Sequence, residues 1–308
     1  MGDVNLTALT TEKRNPETMN LDEMKPEEII TIMNREDRKA VDAVEDVLPQ
    51  VEKVISCAVA SLTSGGRIIY IGAGTSGRLG VLDAVECPPT FGVSDQVVVG
   101  VIAGGPGAFL KAVEGAEDDR EAGAVDLQNL DLDERDTVIG LTASGRTPYV
   151  IGALTYADTI NCRTAAISCN LNAEVSKFAE IAIEVETGPE ILSGSTRLKA
   201  GTAEKLILNM ISTVSMIKIG KVYKNLMVDV QQTNEKLMVR AENIVMQAVD
   251  CEREEAKSAL AESGGEAKTA ILKLLLGVNV EVAREMLEKS GGRIKSAMQM
   301  GGHNVRVL

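Results

Sequence analysis

RIIYIGAGTSGRLG, residues 67–80, decides how this chain is to be read. A short run of β-branched and aromatic residues ends at Gly72, and the pattern G-x-G-x-x-G follows at Gly72, Gly74 and Gly77. Residues Gly80–Val85 then suit a helix. A strand that hands over to a helix through such a turn presents free backbone N–H groups and the positive end of the helix dipole, a setting for an anion. The anion is either the pyrophosphate of a dinucleotide or a phosphate serving other chemistry.

A second turn bears on that choice. Ile71-Gly72-Ala73-Gly74-Thr75-Ser76-Gly77-Arg78 is answered by Ile139-Gly140-Leu141-Thr142-Ala143-Ser144-Gly145-Arg146, both I-G-x-x-x-S-G-R. Pro148 pre-sets the first helical turn after the second copy without wasting a donor. A third hydroxyl cluster, Ser193-Gly194-Ser195-Thr196, precedes a long apolar stretch from Ala200. Any one of these reads equally as a capped helix with no ligand. Two matching turns at the same ends of parallel strands open toward one crevice. A dinucleotide site also wants an acidic residue ending its second strand, and here that strand runs into Ala103-Gly104-Gly105.

Strands are predicted at Arg67–Gly72, Gln96–Ala103, Thr137–Thr142, Thr164–Cys169 and Ile181–Val185. Helices are predicted at Pro106–Ala122 and Pro148–Asp158. Continuous apolar strands alternating with helices call for an α/β fold, a parallel sheet covered on both faces. Lys25–Ser64 has helical apolar spacing, divided or kinked at Pro49. Ala200–Val222 is apolar on more than one face, as a central or interface helix would be. Near the C-terminus Ser263-Gly264-Gly265 recurs 27 residues later as Ser290-Gly291-Gly292, each a helix end followed by a new start. The expected division is an N-terminal helical segment to residue 50, an α/β domain over 51–228 and a small helical module over 229–308.

Composition narrows the chemistry. The formal net charge is −13 with no basic stripe, so nucleic acid and anionic membranes are poor partners. Charges interrupt every apolar run short of the ~20 residues a spanning helix needs, and residues 1–20 hold no apolar signal core. Five scattered cysteines without CxxC spacing fit free thiols in a reducing cytoplasm. His303 is the only histidine. Ser-His-Asp triads and multi-histidine zinc sites are thereby excluded, and proton transfer falls to carboxylates or lysines. No metal and no cofactor are expected.

Two glutamates stand out. Glu86 precedes Cys87-Pro88-Pro89, which is expected to end the helix and stiffen the backbone around the carboxylate. It reads as a fixed acid or as an exposed helix-end residue. Glu117 falls four residues after Val113 and eight after Phe109, placing it beside the apolar stripe of the predicted Pro106–Ala122 helix. A half-buried carboxyl there exchanges protons near neutrality; a stripe-edge glutamate with its head in water does not.

Together, LTTEKRNP (9–16), IGAGTSGRLGVLDAVECPPTFG (71–92), AGGPGAFLKAVEGAEDD (103–119), LTASGRTPYVIGAL (141–154) and GPEILSGSTRLKAGTAEKLILN (188–209) resemble the N-acetylmuramic acid 6-phosphate etherases of the sugar isomerase (SIS) fold. The resemblance implies a three-layer α/β/α fold with a five-stranded parallel sheet plus a small C-terminal helical module. It implies cleavage of the D-lactyl ether of an amino-sugar phosphate in muramic acid recycling, with Glu86 as general acid and Glu117 as base. It further implies a cytoplasmic homodimer. The phosphate is expected on Thr75, Ser76, Ser144, Gly145 and Thr147, with Ser195 and Thr196 as weaker candidates and Arg146 or Arg78 adding charge. The rival readings are an isomerase on the same fold, lacking the acid, and a sugar-phosphate-binding regulator without catalysis.

Overall fold

The structure is a computed structural model and describes residues 9–229 and 235–300, with side chains left out at 235 and 236. His303 and the rest of 301–308 lie outside the described residues. The chain divides into two compact units, Met1–Val85 with Asp95–Ser212, and Glu86–Ser94 with Thr213–Leu308.

Five parallel strands organise the first unit: β1 (Ile68–Gly72), β2 (Val98–Ile102), β3 (Thr137–Leu141), β4 (Arg163–Ser168) and β5 (Ile181–Glu184). Their order is β2-β1-β3-β4-β5, with Gly72 in register with Ile102 on one side and Leu141 on the other. Every residue of β1 and β3 is buried, which is why both read as continuous apolar runs. The predicted strands are all present, to within two residues at each end. One face of the sheet, with Ile69, Ile71, Val138 and Ala166, packs on α4 (Arg120–Gln128) and α5 (Pro148–Thr159). The opposite face, with Tyr70 and Leu141, receives α3 (Gly74–Phe91), and Thr137 on that face bonds Ser61 of α2 (Leu48–Thr63) at 2.7 Å. α1 (Pro26–Asp46) ends one residue before α2, so Pro49 sits in the first turn of a new helix, where its missing N–H costs nothing.

Glycines set how closely α3 lies on the sheet. A Cβ on Gly77 would stand 2.5 Å from the Gly72 carbonyl oxygen and 2.8 Å from Ile102 Cγ1, and one on Gly100 would stand 2.5 Å from Val81 Cα. Gly74 has φ +54°, the left-handed conformation that lets strand turn into helix at once. Gly77→Ala is accordingly expected to destabilise the protein by ~1–3 kcal/mol through overpacking, measured by urea unfolding. An unchanged midpoint would refute the close contact.

Two predicted features are corrected. Residues 106–122 are not one helix: short 3-10 turns at Pro106–Phe109 and Ala116–Asp118 precede α4, which starts at Arg120. Gly115 at φ +74° breaks the helix, and Asp119 caps the next one by accepting from the N–H groups of Glu121 and Ala122. The prolines after Glu86 do not end α3 either. It continues through Pro88 and Pro89 to Phe91, and Gly92, at φ +61°, closes it by donating to the Pro88 carbonyl. Both prolines fall in the last turn, where their fixed φ is still helical.

The second unit holds a two-stranded antiparallel hairpin, β6 (Val222–Tyr223) and β7 (Leu226–Met227), and helices α7 (Glu235–Val249), α8 (Arg253–Glu262), α9 (Ala267–Leu276), α10 (Val280–Lys289) and α11 (Ile294–Met300). α6 (Lys199–Lys218) passes from the first unit into it. The sequence echo is a true structural repeat. Gly265 donates to Leu260 and Gly292 to Leu287, at 2.8 and 2.7 Å, each after a buried serine, Ser263 or Ser290.

Candidate active site

The order β2-β1-β3-β4-β5 reverses direction at β1, so the turns after β1 and β3 flank a topological switch point, where open α/β sheets bind ligands. Thr75 and Ser76 lie in the first turn of α3 beside this crevice. Across from them, Thr142 to Thr147 form a turn closed by hydroxyls. Thr142 Oγ1 lies 2.8 Å from Thr147 Oγ1 and 3.3 Å from Ser144 Oγ, and accepts from the Gly145 N–H at 3.2 Å. Gly145 has φ +73°, and a Cβ there would meet Ala173 Cβ at 2.5 Å, so glycine is required twice over. Ser144, Arg146 and Thr147 are half-buried.

A third helix start joins them. The first turn of α6 lies beside Thr75, whose Cγ2 would be 3.6 Å from a Cβ on Gly201. Ser195 and Thr196, half-buried, lead into it, and Gly201 donates to the Thr196 carbonyl at 2.9 Å. The buried Glu190 caps this helix, accepting from the N–H groups of Lys199 and Ala200 at 3.1 and 3.0 Å. Burial raises its pKa despite those bonds.

Asn170, 1% exposed, holds the second turn in place. Its Nδ2 donates to the Ala143 carbonyl and to Thr11 Oγ1, and its Oδ1 accepts from Thr10 N and Thr10 Oγ1, at 2.8 to 3.1 Å. The LTTE segment is thereby clamped to the turn after β3, and Ser193 Oγ donates to the Glu12 carbonyl beside the third cluster.

Of the two arginines, Arg146 sits 3.9 Å from Glu174. Arg78 instead donates to the carbonyls of Phe109 and Ala108 at 2.9 and 2.7 Å, fastening the glycine-rich loop that leads to Glu117. Glu117 is exposed on its 3-10 turn, between the exposed Val113 and the α4 cap, which matches the water-facing of its two readings, although the helix face its spacing assumed is not formed. Glu86 is likewise exposed, within a continuous helix, and opens the second unit.

Sequence reading missed Glu204. It is 1% exposed on α6, accepts from Ser76 Oγ at 2.8 Å through Oε1, and its Oε2 has no partner among the described residues. Burial pushes its pKa up to about 7, against a smaller lowering by the Ser76 bond. The signal was present in AGTAEKLILN, a lone carboxylate on an otherwise apolar face with Ala200, Ile207, Leu208 and Ile211. Among the described residues no cluster of metal-ligating side chains occurs. A cavity of about 710 Å³ in the second unit has both of its cations paired, Lys268 with Asp229 at 2.6 Å and Arg284 with Glu266 at 2.9 Å.

Residues 50–158 match the family model of the glucokinase regulatory protein N-terminal SIS domain. The chain is 56% identical over 295 residues to the N-acetylmuramic acid 6-phosphate etherase of Serratia proteamaculans, covering 96% of this chain and 99% of that protein. It is 56% identical over 294 residues to the etherase of the same name from a Geobacillus species, covering 96% and 100%. Among solved structures, a phosphoheptose isomerase from Francisella tularensis aligns with a TM-score of 0.46 at 14% identity, covering 62% of this chain and 100% of that one.

Proposed function

This chain belongs to the N-acetylmuramic acid 6-phosphate etherases, and on that premise we propose that it cleaves the D-lactyl ether of N-acetylmuramic acid 6-phosphate by elimination and hydration between two carboxylates. The products are N-acetylglucosamine 6-phosphate and D-lactate, consistent with a role in muramic acid recycling. The observation carrying the reading of the site is the pairing of two hydroxyl-rich turns at the ends of adjacent strands, the phosphate seating on Thr75, Ser76, Ser144, Gly145 and Thr147. Arg146 and Ser195 border the same crevice from the second and third turns.

With the sugar open, C2 is α to an aldehyde and its proton is acidic. Glu117 removes that proton while Glu86 protonates the C3 oxygen, so the C3–O bond breaks and D-lactate leaves with its own oxygen. The remaining C2–C3 double bond is conjugated with the aldehyde. Glu86, now a carboxylate, takes a proton from water as the water oxygen adds at C3, and Glu117 returns its proton to C2. Each carboxyl ends as it began, and one water is consumed. Acid and base must hold opposite protonation states at the start, which differing environments allow.

Incubation with N-acetylmuramic acid 6-phosphate is expected to release one D-lactate per sugar, followed with a D-lactate dehydrogenase couple. Binding without lactate would overturn the assignment and favour a regulator. We read the assembly as a homodimer working in the cytoplasm; size-exclusion chromatography with light scattering tests the first. Leu110, 90% exposed beside the exposed Val113, supports an assembly that covers this loop.

A further inference from the structure

Ser76 has one hydroxyl proton, and the structure spends it on Glu204, across 2.8 Å. While that bond stands, only lone pairs of Ser76 Oγ remain for the crevice, and lone pairs repel a phosphate oxygen. We infer that Glu204 is a positioning residue for the phosphate: in its neutral form it donates to Ser76 Oγ, turning the Ser76 hydroxyl proton toward the bound phosphate. The inference rests on the seating of the phosphate at Ser76 proposed above.

Three observations carry it. Glu204 is 1% exposed and Ser76 7%, so water does not substitute for either partner. Oε2 of Glu204 accepts no bond among the described residues, leaving the carboxylate under-satisfied and its protonated form favoured. Among the described residues no cation compensates it. The groups around it are Cys169 after β4, a thiol that burial keeps protonated, and Glu190, which acts on the same thiol. On α3, Arg78 is committed to backbone carbonyls, and Asp83 accepts from Asn209 and Ser212 of α6, with Lys205 acting on Asp83. Lys199, on the same helix, is paired with Glu36 at 2.7 Å. Glu204 already titrates at about 7 in the free protein, and a phosphate dianion beside Ser76 raises it further, as a like charge does. Above pH 7 binding therefore takes up to one proton from solvent onto Glu204 for each phosphate seated.

The probe is N-acetylglucosamine 6-phosphate, which undergoes no net conversion when D-lactate is absent. Above pH 7 its phosphate keeps constant charge, its second pKa being about 6. Wild-type affinity is expected to weaken roughly tenfold per pH unit above pH 7, because only the protonated fraction is competent. Calorimetry of the wild type at pH 8 in Tris and in HEPES is expected to show uptake approaching one proton. In Glu204→Gln the amide donates to Ser76 at every pH, so uptake disappears and Kd stays flat from pH 7 to 9. Wild type and Glu204→Gln running parallel in that range, with no difference in proton uptake, would overturn the inference. Ser76→Ala separates the two layers. Wild-type affinity in that variant sinks the phosphate seat itself, whereas weakened binding there, with wild type and Glu204→Gln taking up protons equally, sinks only the role of Glu204.

Discussion

Replacing either glutamate by its amide is expected to lower kcat by ~10²–10⁴ with little change in KM. Glutamine keeps the shape of the side chain and loses its capacity to give or take a proton. Glu86 and Glu117 are both exposed, so Glu86→Gln and Glu117→Gln are expected to unfold at the wild-type temperature. A partial reaction tells them apart. Exchange of the C2 proton of N-acetylglucosamine 6-phosphate with D₂O needs only the base, because C2 of the open product is still α to the aldehyde. Glu86→Gln is expected to retain that exchange and Glu117→Gln to lose it, read by NMR of the C2 proton. Near-normal D-lactate release by either variant removes that residue from the mechanism.

Lys199→Met is expected to cost ~3–5 kcal/mol, the usual penalty for stranding a buried charge. Lys199 and Glu36 are 2% and 1% exposed at their side chains and meet at 2.7 Å, with Lys39 as a second, exposed partner of Glu36 at 2.6 Å. Burial raises the Glu36 pKa, but bonds from Lys199 and Lys39 and their charges outweigh it, so the carboxyl titrates below the ordinary range. The sign follows. A folded-state value below the unfolded one contributes stability present above the unfolded value, near 4.5, and lost as pH falls through the lower folded value. Urea unfolding at pH 7 is expected to show the full loss for Lys199→Met and a much smaller one at pH 3. The double variant Lys199→Met/Glu36→Leu, which strands no charge, is expected to recover most of it. A single variant within 1 kcal/mol of wild type at pH 7 would refute the buried-pair account.

The sheet was legible because its signal is local: five apolar runs at strand length, each bounded by glycine or polar residues, survive to within two residues. The phosphate turns were legible through their repetition. Residues 106–122 misled because Phe109, Val113 and Glu117 have helical spacing, while Gly115 and the Asp119 cap decide the backbone locally. At Glu86 the misjudgement ran the other way, since prolines in the last turn of α3 remove donors without ending it. The partners of Glu204, Asn170 and Lys199 were illegible for a different reason, although the lone carboxylate of Glu204 on an apolar helix face was itself visible. Each partner lies far along the chain, 128 residues away for Glu204, 160 for Asn170 and 163 for Lys199, and no periodicity reports such a partner.

The Asn170 clamp sets a clock on synthesis. Thr10 leaves the ribosome 160 residues ahead of the side chain that will hold it, an interval of about 8 to 32 s at typical translation rates. Throughout that interval the LTTE segment has no Asn170 to bind. The turn after β3 waits for the same residue, although β3 itself is complete much sooner. Clamping of the LTTE segment to the turn after β3 is thus a late event in the life of the nascent chain, gated by the emergence of β4 and the two residues beyond it.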